Sequence, residues 1–171
     1  STSQAEMCIK YIWKYINESE ICKEQSNFKV IFRTVMTNID FNLGFTVNRE
    51  NLDKHINTKT QYNSLLETSF GYTGVNIKIP FNDEITSELY TIEWDKDQWT
   101  DYMTPFNKYL DVIPLKDKDK EISKQRYKTF LVFQSGNVIM SGLNKEYMRK
   151  YYDIFFKIVN DCSDQIIEKL D

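Results

Sequence analysis

Hydrophobic and polar positions are arranged most tellingly at 130-FLVFQSGNVIMSG-142. Two apolar runs flank Ser135-Gly136, which predicts a β-hairpin whose glycine supplies the positive φ of a tight turn. Period two sorts Phe130, Val132, Val138 and Met140 onto one face and Leu131, Phe133, Ile139 and Ser141 onto the other. Both faces are largely apolar. A hairpin with one wet face carries polar residues there, so the second face must be covered or must bind something.

Elsewhere the pattern predicts a helix over 5–19, with Met7, Ile9, Trp13 and Ile16 near helical spacing and Tyr11 and Tyr15 flanking them. Residues 28–43, rich in β-branched and aromatic side chains, predict one long strand. A short helix is expected over 47–57, capped by Asn48 and carrying Leu52 and Ile56 at i, i+4. The alternation of Val75, Ile77 and Ile79 predicts a strand over 72–81, entered past Gly71 and Gly74 and stopping at Pro80.

From Asn82 to Lys128 the pattern dissolves, apart from a strand expected in 88-ELYTIEW-94. The balanced run 116-KDKDKE-121 predicts a solvated or mobile segment. A long helix over 145–169, capped by Asn144, closes the chain with Met148, Tyr151, Tyr152, Phe155, Ile158 and Val159 in one stripe. Helices on one face of an antiparallel sheet make this an α+β chain.

Composition narrows the function classes. The chain has 171 residues, 15% aromatic, with only 5 Gly and 3 Pro, which suits a folded domain. Its formal net charge of -3 argues against a protein that holds nucleic acid mainly through phosphate neutralisation. Cys8, Cys22 and Cys162 form no CxxC or Cys/His pattern, which points to a reducing compartment and inert thiols. Without a signal-peptide pattern or an apolar run of about 20 residues, a soluble, intracellular protein without membrane contact is expected. The opening STSQ, set against a strong helix, is read as a linker or a cut end.

Catalytic chemistry finds no foothold. His55 is the only histidine and sits in a polar helix. Asp83, Glu84, Glu93, Asp95 and Asp97 lack the alternation and glycine of a calcium loop. Neither a Walker lysine loop nor GxGxxG occurs, and 71-GYTG-74 precedes a strand. No enzyme activity, metal or cofactor is expected.

The hairpin resembles the strand–turn–strand of the TATA-box-binding protein (TBP) repeat, L-I-F-x-S-G-K-x-V-x-T-G. Likewise 37-TNIDFNLGF-45 is similar to V-N-L-D-C-K-L-D-L, and 62-YNSLL-66 with 74-GVNIKI-79 to Y-x-P-E-L-F-P-G-L-I-Y-R-M. The likeness covers about residues 28–165. It implies a curved antiparallel sheet with helices on its convex face, in a repeat spanning 27–171 with an insertion at 82–128. The helix within 1–26 would then be the end of a preceding repeat. Two such repeats form a saddle over the minor groove, so either an upstream repeat or self-association completes it.

By this resemblance Phe133 is a wedge phenylalanine, Leu131, Ile139 and Ser141 share its groove-facing surface, and Tyr72 falls on the other wedge position, with Phe70 close by. The implied function is binding and bending A·T-rich double-stranded DNA in transcription initiation, with initiation factors as further partners, in the nucleus or at a viral replication site in host cytoplasm. Similar divergent proteins are carried by large DNA viruses, and the abundance of Asn, Ile, Lys and Tyr fits an A·T-rich genome. The chain also departs from the family. The groove-reading asparagine of the first strand falls near Phe32, leaving the adjoining Arg33 as the candidate phosphate contact. Asn137 replaces the lysine after S-G, and 142-GLN-144 replaces G-A-K; both changes weaken phosphate contact and A·T readout. Two alternatives stand beside this one. The first is a dimerisation or interaction module that has lost DNA, with Trp94 and Trp99 as candidate anchors or, more simply, core residues. The second is a helix-grip fold with another ligand.

Overall fold

A computed structural model describes residues 2–19, 27–68, 73–81, 88–142 and 145–168. The chain divides into two compact units, each assembled from two segments: residues 1–33 with 83–122, and residues 34–82 with 123–171. Both are built on antiparallel sheets, so the chain is α+β.

The first unit contains α1 (Thr2–Glu18), β1 (Asn27–Ile31), β5 (Glu88–Asp95), β6 (Gln98–Pro105), α3 (Phe106–Val112) and α4 (Leu115–Ser123). Its three strands run in the order β1-β5-β6, with Phe28 opposite Trp94 and Trp94 opposite Trp99. Trp13 of α1 is buried flat against Phe28, ring centroids 4.3 Å apart. Behind the strands, Thr91 and Thr104 are buried and satisfy each other through a 2.7 Å hydroxyl contact. The two tryptophans of the insertion meet edge to face at 5.5 Å across a strand pair.

The second unit contains β2 (Thr37–Asn42), α2 (Arg49–Lys59), β3 (Asn63–Glu67), β4 (Gly74–Phe81), β7 (Arg126–Phe133), β8 (Asn137–Gly142), α5 (Lys145–Asp161) and α6 (Ser163–Ile166). Its sheet order is β2-β8-β7-β4-β3. One face of that sheet is the core: Val75, Ile77, Ile79 and Phe81 of β4, Phe130 and Val132 of β7, and Val138 and Met140 of β8 are all buried. Leu52 and Ile56 of α2 and Met148, Tyr151, Phe155, Ile158 and Val159 of α5 join the same cluster, so both helices lie on that face. Phe155 stacks flat on Phe130 at 4.4 Å. Lys128 shares the core side through period two. It is fully buried, with its Nζ 4.0 Å from the centroid of Phe81, a cation–π contact, in space left by Gly142.

Several expectations hold. The hairpin forms around Gly136 at φ 81, and Asn48 caps α2 by accepting from the Asn51 amide at 2.9 Å. The strand expected at 88–94 is β5.

Others are corrected. The single strand expected over 28–43 is two strands, β1 and β2, which belong to different sheets. Their compositions look alike locally, and only the long-range partners, β5 for one and β8 for the other, separate them. The run at 116–121 is solvated as expected, with its side chains unburied, and it forms part of a helix, α4, which the pattern did not predict. The closing helix stops at Asp161, and α6 follows. Of the apolar stripe expected to bury α1, only Trp13 is buried; Met7 is 69% exposed. The cap at Asn144 and the glycine at 71 lie outside the described residues.

Gly136 and Gly44 both need positive φ, but they differ in surroundings. A Cβ on Gly136 would collide with the Phe45 carbonyl, whereas one on Gly44 would meet nothing. Gly44→Ala is therefore expected to cost about 1 kcal/mol for the backbone conformation alone. Gly136→Ala should cost at least ~2 kcal/mol more, since backbone must also move. Urea unfolding midpoints at a fixed m-value test the difference.

Candidate nucleic-acid interface

The face of the five-stranded sheet opposite the helices is set by strand parity. With Val75, Ile77 and Ile79 turned to the core, β4 turns Gly74, Asn76, Lys78 and Pro80 the other way. In β7 the outward set is Tyr127, Thr129, Leu131 and Phe133, and in β8 it is Asn137, Ile139 and Ser141. Pairing aligns these residues into rows across the sheet. One row reads Leu65, Asn76, Leu131, Ile139 and Asp40 from β3 to β2, and the next reads Asn63, Lys78, Thr129, Ser141 and Asn38.

The first row is apolar at its middle and amide- or acid-bearing between and beyond. Leu131 and Ile139 are half-buried neighbours, and Leu65 is 63% exposed at the sheet edge. Phe133 stands opposite Gly74, where β4 has no side chain, and Leu131 leans so closely over that glycine that a Cβ there would sit 2.7 Å from Leu131 Cδ1. Gly74 thus leaves room for the outward apolar residues. In the second row the Ser141 hydroxyl donates to Asn38 Oδ1 at 2.8 Å, which ties β8 to β2 on this face. Lys78 is exposed, its Nζ 6.0 Å from the Tyr127 ring centroid.

Four of the six expected site residues, Leu131, Phe133, Ile139 and Ser141, are therefore brought onto one surface. Tyr72 and Phe70 lie outside the described residues. Arg33 is placed differently. It follows β1 in the first unit, where its Nη2 donates to Glu121 Oε2 at 2.8 Å and its guanidinium lies 5.6 Å from the ring centroids of both Phe106 and Tyr109. The bond to Glu121 raises its pKa, against an opposing effect of burial. With its charge engaged by a carboxylate, Arg33 ties β1 to α3 and α4 and is not on the five-stranded sheet. The sequence reading missed Asn76, Lys78, Thr129, Tyr127 and Leu65, although parity with Val75, Ile77 and Ile79 marks the first two.

Charge is divided between the units. The unit carrying the sheet has 12 Lys and Arg against 10 Asp and Glu, and the other has 10 against 15. The acidity that argued against nucleic acid thus resides in the first unit. On the sheet face the charged residues at outward strand positions are Lys78, Asp40 and, at the end of β3, Glu67, so the surface carries little charge and is rich in amides. Among the described residues no helix is long and apolar enough to cross a membrane, and no group of three or more His, Cys, Asp or Glu is placed to hold a metal ion.

Breaking the Arg33 contact tests its structural role. Arg33→Ala is expected to lower stability by about 2 kcal/mol, because the half-buried Glu121 carboxylate loses its partner. Glu121→Gln in the same background should recover part of the loss. Thermal unfolding of the single and double variants measures the coupling.

No family model matches the chain, and no solved structure matches it. The chain is similar to an uncharacterized protein, 335L, of Invertebrate iridescent virus 6, with 22% identity over 176 residues covering 94% of this chain and 51% of the relative. It therefore spans about half the length of that viral protein.

Proposed function

We propose that the second unit is a TBP-like repeat whose open sheet face binds A·T-rich double-stranded DNA through the minor groove, and that the protein acts in transcription initiation. The observation that carries this reading is the joint placement of Leu131, Phe133, Ile139 and Ser141 on one surface, with both helices on the other. Minor-groove binding of this kind presses apolar area and a wedge against base edges. Unstacking costs a few kcal/mol per step, which the wider contact on bent DNA offsets.

The element order of the unit, strand, helix, two strands, hairpin and long helix, supports the same reading, as does its balance of basic over acidic residues. Similarity to a viral protein fits the class of divergent TBP-like chains but says nothing about what that protein does. Because the face carries few cations, counterion release contributes little and the salt dependence of binding should be shallow. Asp40, at the β2 end of the first row, favours the other reading, an interaction module that keeps the sheet without DNA.

Fluorescence anisotropy with an A·T-rich duplex at low salt separates the two. Binding with a bend detected by end-to-end energy transfer is expected, and Phe133→Ala should weaken it at least tenfold while the unfolding transition remains cooperative. No binding at micromolar protein would overturn the proposal. In that case, loss of self-association in Leu131→Asp would support the interaction module.

A further inference from the structure

α1 is mounted on the strands of the first unit by an unusual selection of its side chains. Trp13 is buried against Phe28, and the Glu6 carboxylate accepts from the Tyr90 hydroxyl at 3.0 Å and from Lys10 Nζ at 2.6 Å. That ammonium lies 5.7 Å from the Trp99 ring centroid. Glu6, Lys10 and Trp13, spaced by four and three, share one side of the helix. The other side is apolar and open to water: Tyr11, Ile12 and Tyr15 are 65, 54 and 56% exposed, with Ala5, Cys8 and Ile16 exposed beside them. A helix that turns an ion pair to the fold and its large apolar side chains to water inverts the usual arrangement, and such a stripe marks a contact surface.

Along the open side Ala5, Cys8, Ile12 and Tyr15 follow at intervals of three, four and three, the spacing of a helix–helix seam. The seam is graded, with its two N-terminal members small and its two C-terminal members large. A second copy of α1 running antiparallel sets Ala5 opposite Tyr15 and Cys8 opposite Ile12, so every large side chain meets a small one, the condition for close interdigitation. A parallel copy would set Tyr15 against Tyr15 and Ala5 against Ala5, crowding one end and leaving the other slack. At about 200 Å² for each large side chain, Met7, Tyr11, Ile12, Tyr15 and Ile16 expose on the order of 500 Å² per copy. A pair would then bury ~1,000 Å², the lower bound of a specific interface and the scale of a reversible dimer rather than a permanent one. We propose that the partner of α1 is α1 of a second copy of this chain, packed antiparallel about a two-fold axis. The contact uses residues of the first unit alone and holds whether or not the open sheet meets DNA.

Sedimentation velocity over a concentration series tests it. A monomer–dimer equilibrium with a Kd on the order of 10 μM is expected for the chain without DNA. Ile12→Glu should raise that Kd at least tenfold, while the melting temperature of dilute protein stays unchanged because the position is already in water. Ala5→Tyr, which overfills the seam, and Tyr15→Ala, which hollows it, should each weaken pairing about tenfold. The double variant exchanges the small and large ends, so antiparallel pairing again opposes tyrosine to alanine and most of the parent's affinity should return. Leu131→Asp, on the open sheet face, should leave the equilibrium where it is. A monomer throughout the series, or a dimer broken by Leu131→Asp and untouched by Ile12→Glu, would overturn the proposal. Two weakened single variants with no recovery in the double would overturn the antiparallel pairing.

Discussion

The register of the β7–β8 hairpin is the constraint on which the rest of the second unit depends. In most hairpins register is enforced by alternation, because a slip of one residue would send apolar side chains into water. Here both sets, Phe130, Val132, Val138 and Met140 on one side and Leu131, Phe133 and Ile139 on the other, are apolar, so alternation alone discriminates weakly. The turn makes the choice. Gly136 sits at φ 81 close against the Phe45 carbonyl, and its own carbonyl accepts from the Leu43 amide at 2.9 Å. Once the turn is fixed, Phe130 stacks on Phe155, Leu131 pairs with Ile139, and the core and open faces are assigned together.

Local features of this unit were legible because their causes are local. A glycine between apolar runs, an Asn cap four residues ahead of Leu52 and a stripe over α5 each follow from a few neighbouring residues. What escaped depends on distant partners. Residues 28–43 look uniform, yet Val30 lies opposite Ile92 and Ile39 opposite Met140, in different sheets. Arg33 resembles a free surface cation in sequence and becomes an anchor only when Glu121 is brought to it. Lys128 reads as an outward residue by its charge, but parity with Phe130 and Val132 sends it into the core, where the ring of Phe81 and the gap left by Gly142 receive its side chain. The candidate surface was half legible. Its hairpin contribution follows from period two, whereas its β4 contribution is less visible because polar Asn76 and Lys78 are what any water-facing strand positions would carry.

Sequence-wide charge averages two unlike bodies. The first unit carries carboxylates on β5, β6, α3 and α4, where Tyr102 donates to Glu93 at 2.6 Å and Lys118 to Asp111 at 3.2 Å. The second keeps a small excess of basic residues and a sheet face of amides, hydroxyls and leucines. Electrostatic steering by net charge and recognition by a neutral surface are separate properties, and only the latter concerns bases.

Pairing of β1 with β5 has a consequence for synthesis on the ribosome. Phe28 is made early, but its partner Trp94 is made only after β2, α2, β3 and β4 have been synthesised, and those strands in turn await β7 and β8. The first unit can close only after the first segment of the second has been made, and the second only after the whole of the first. From its own synthesis until β5 is available, then, β1 is an unpaired strand edge, and the growing polypeptide is exposed to edge-to-edge association.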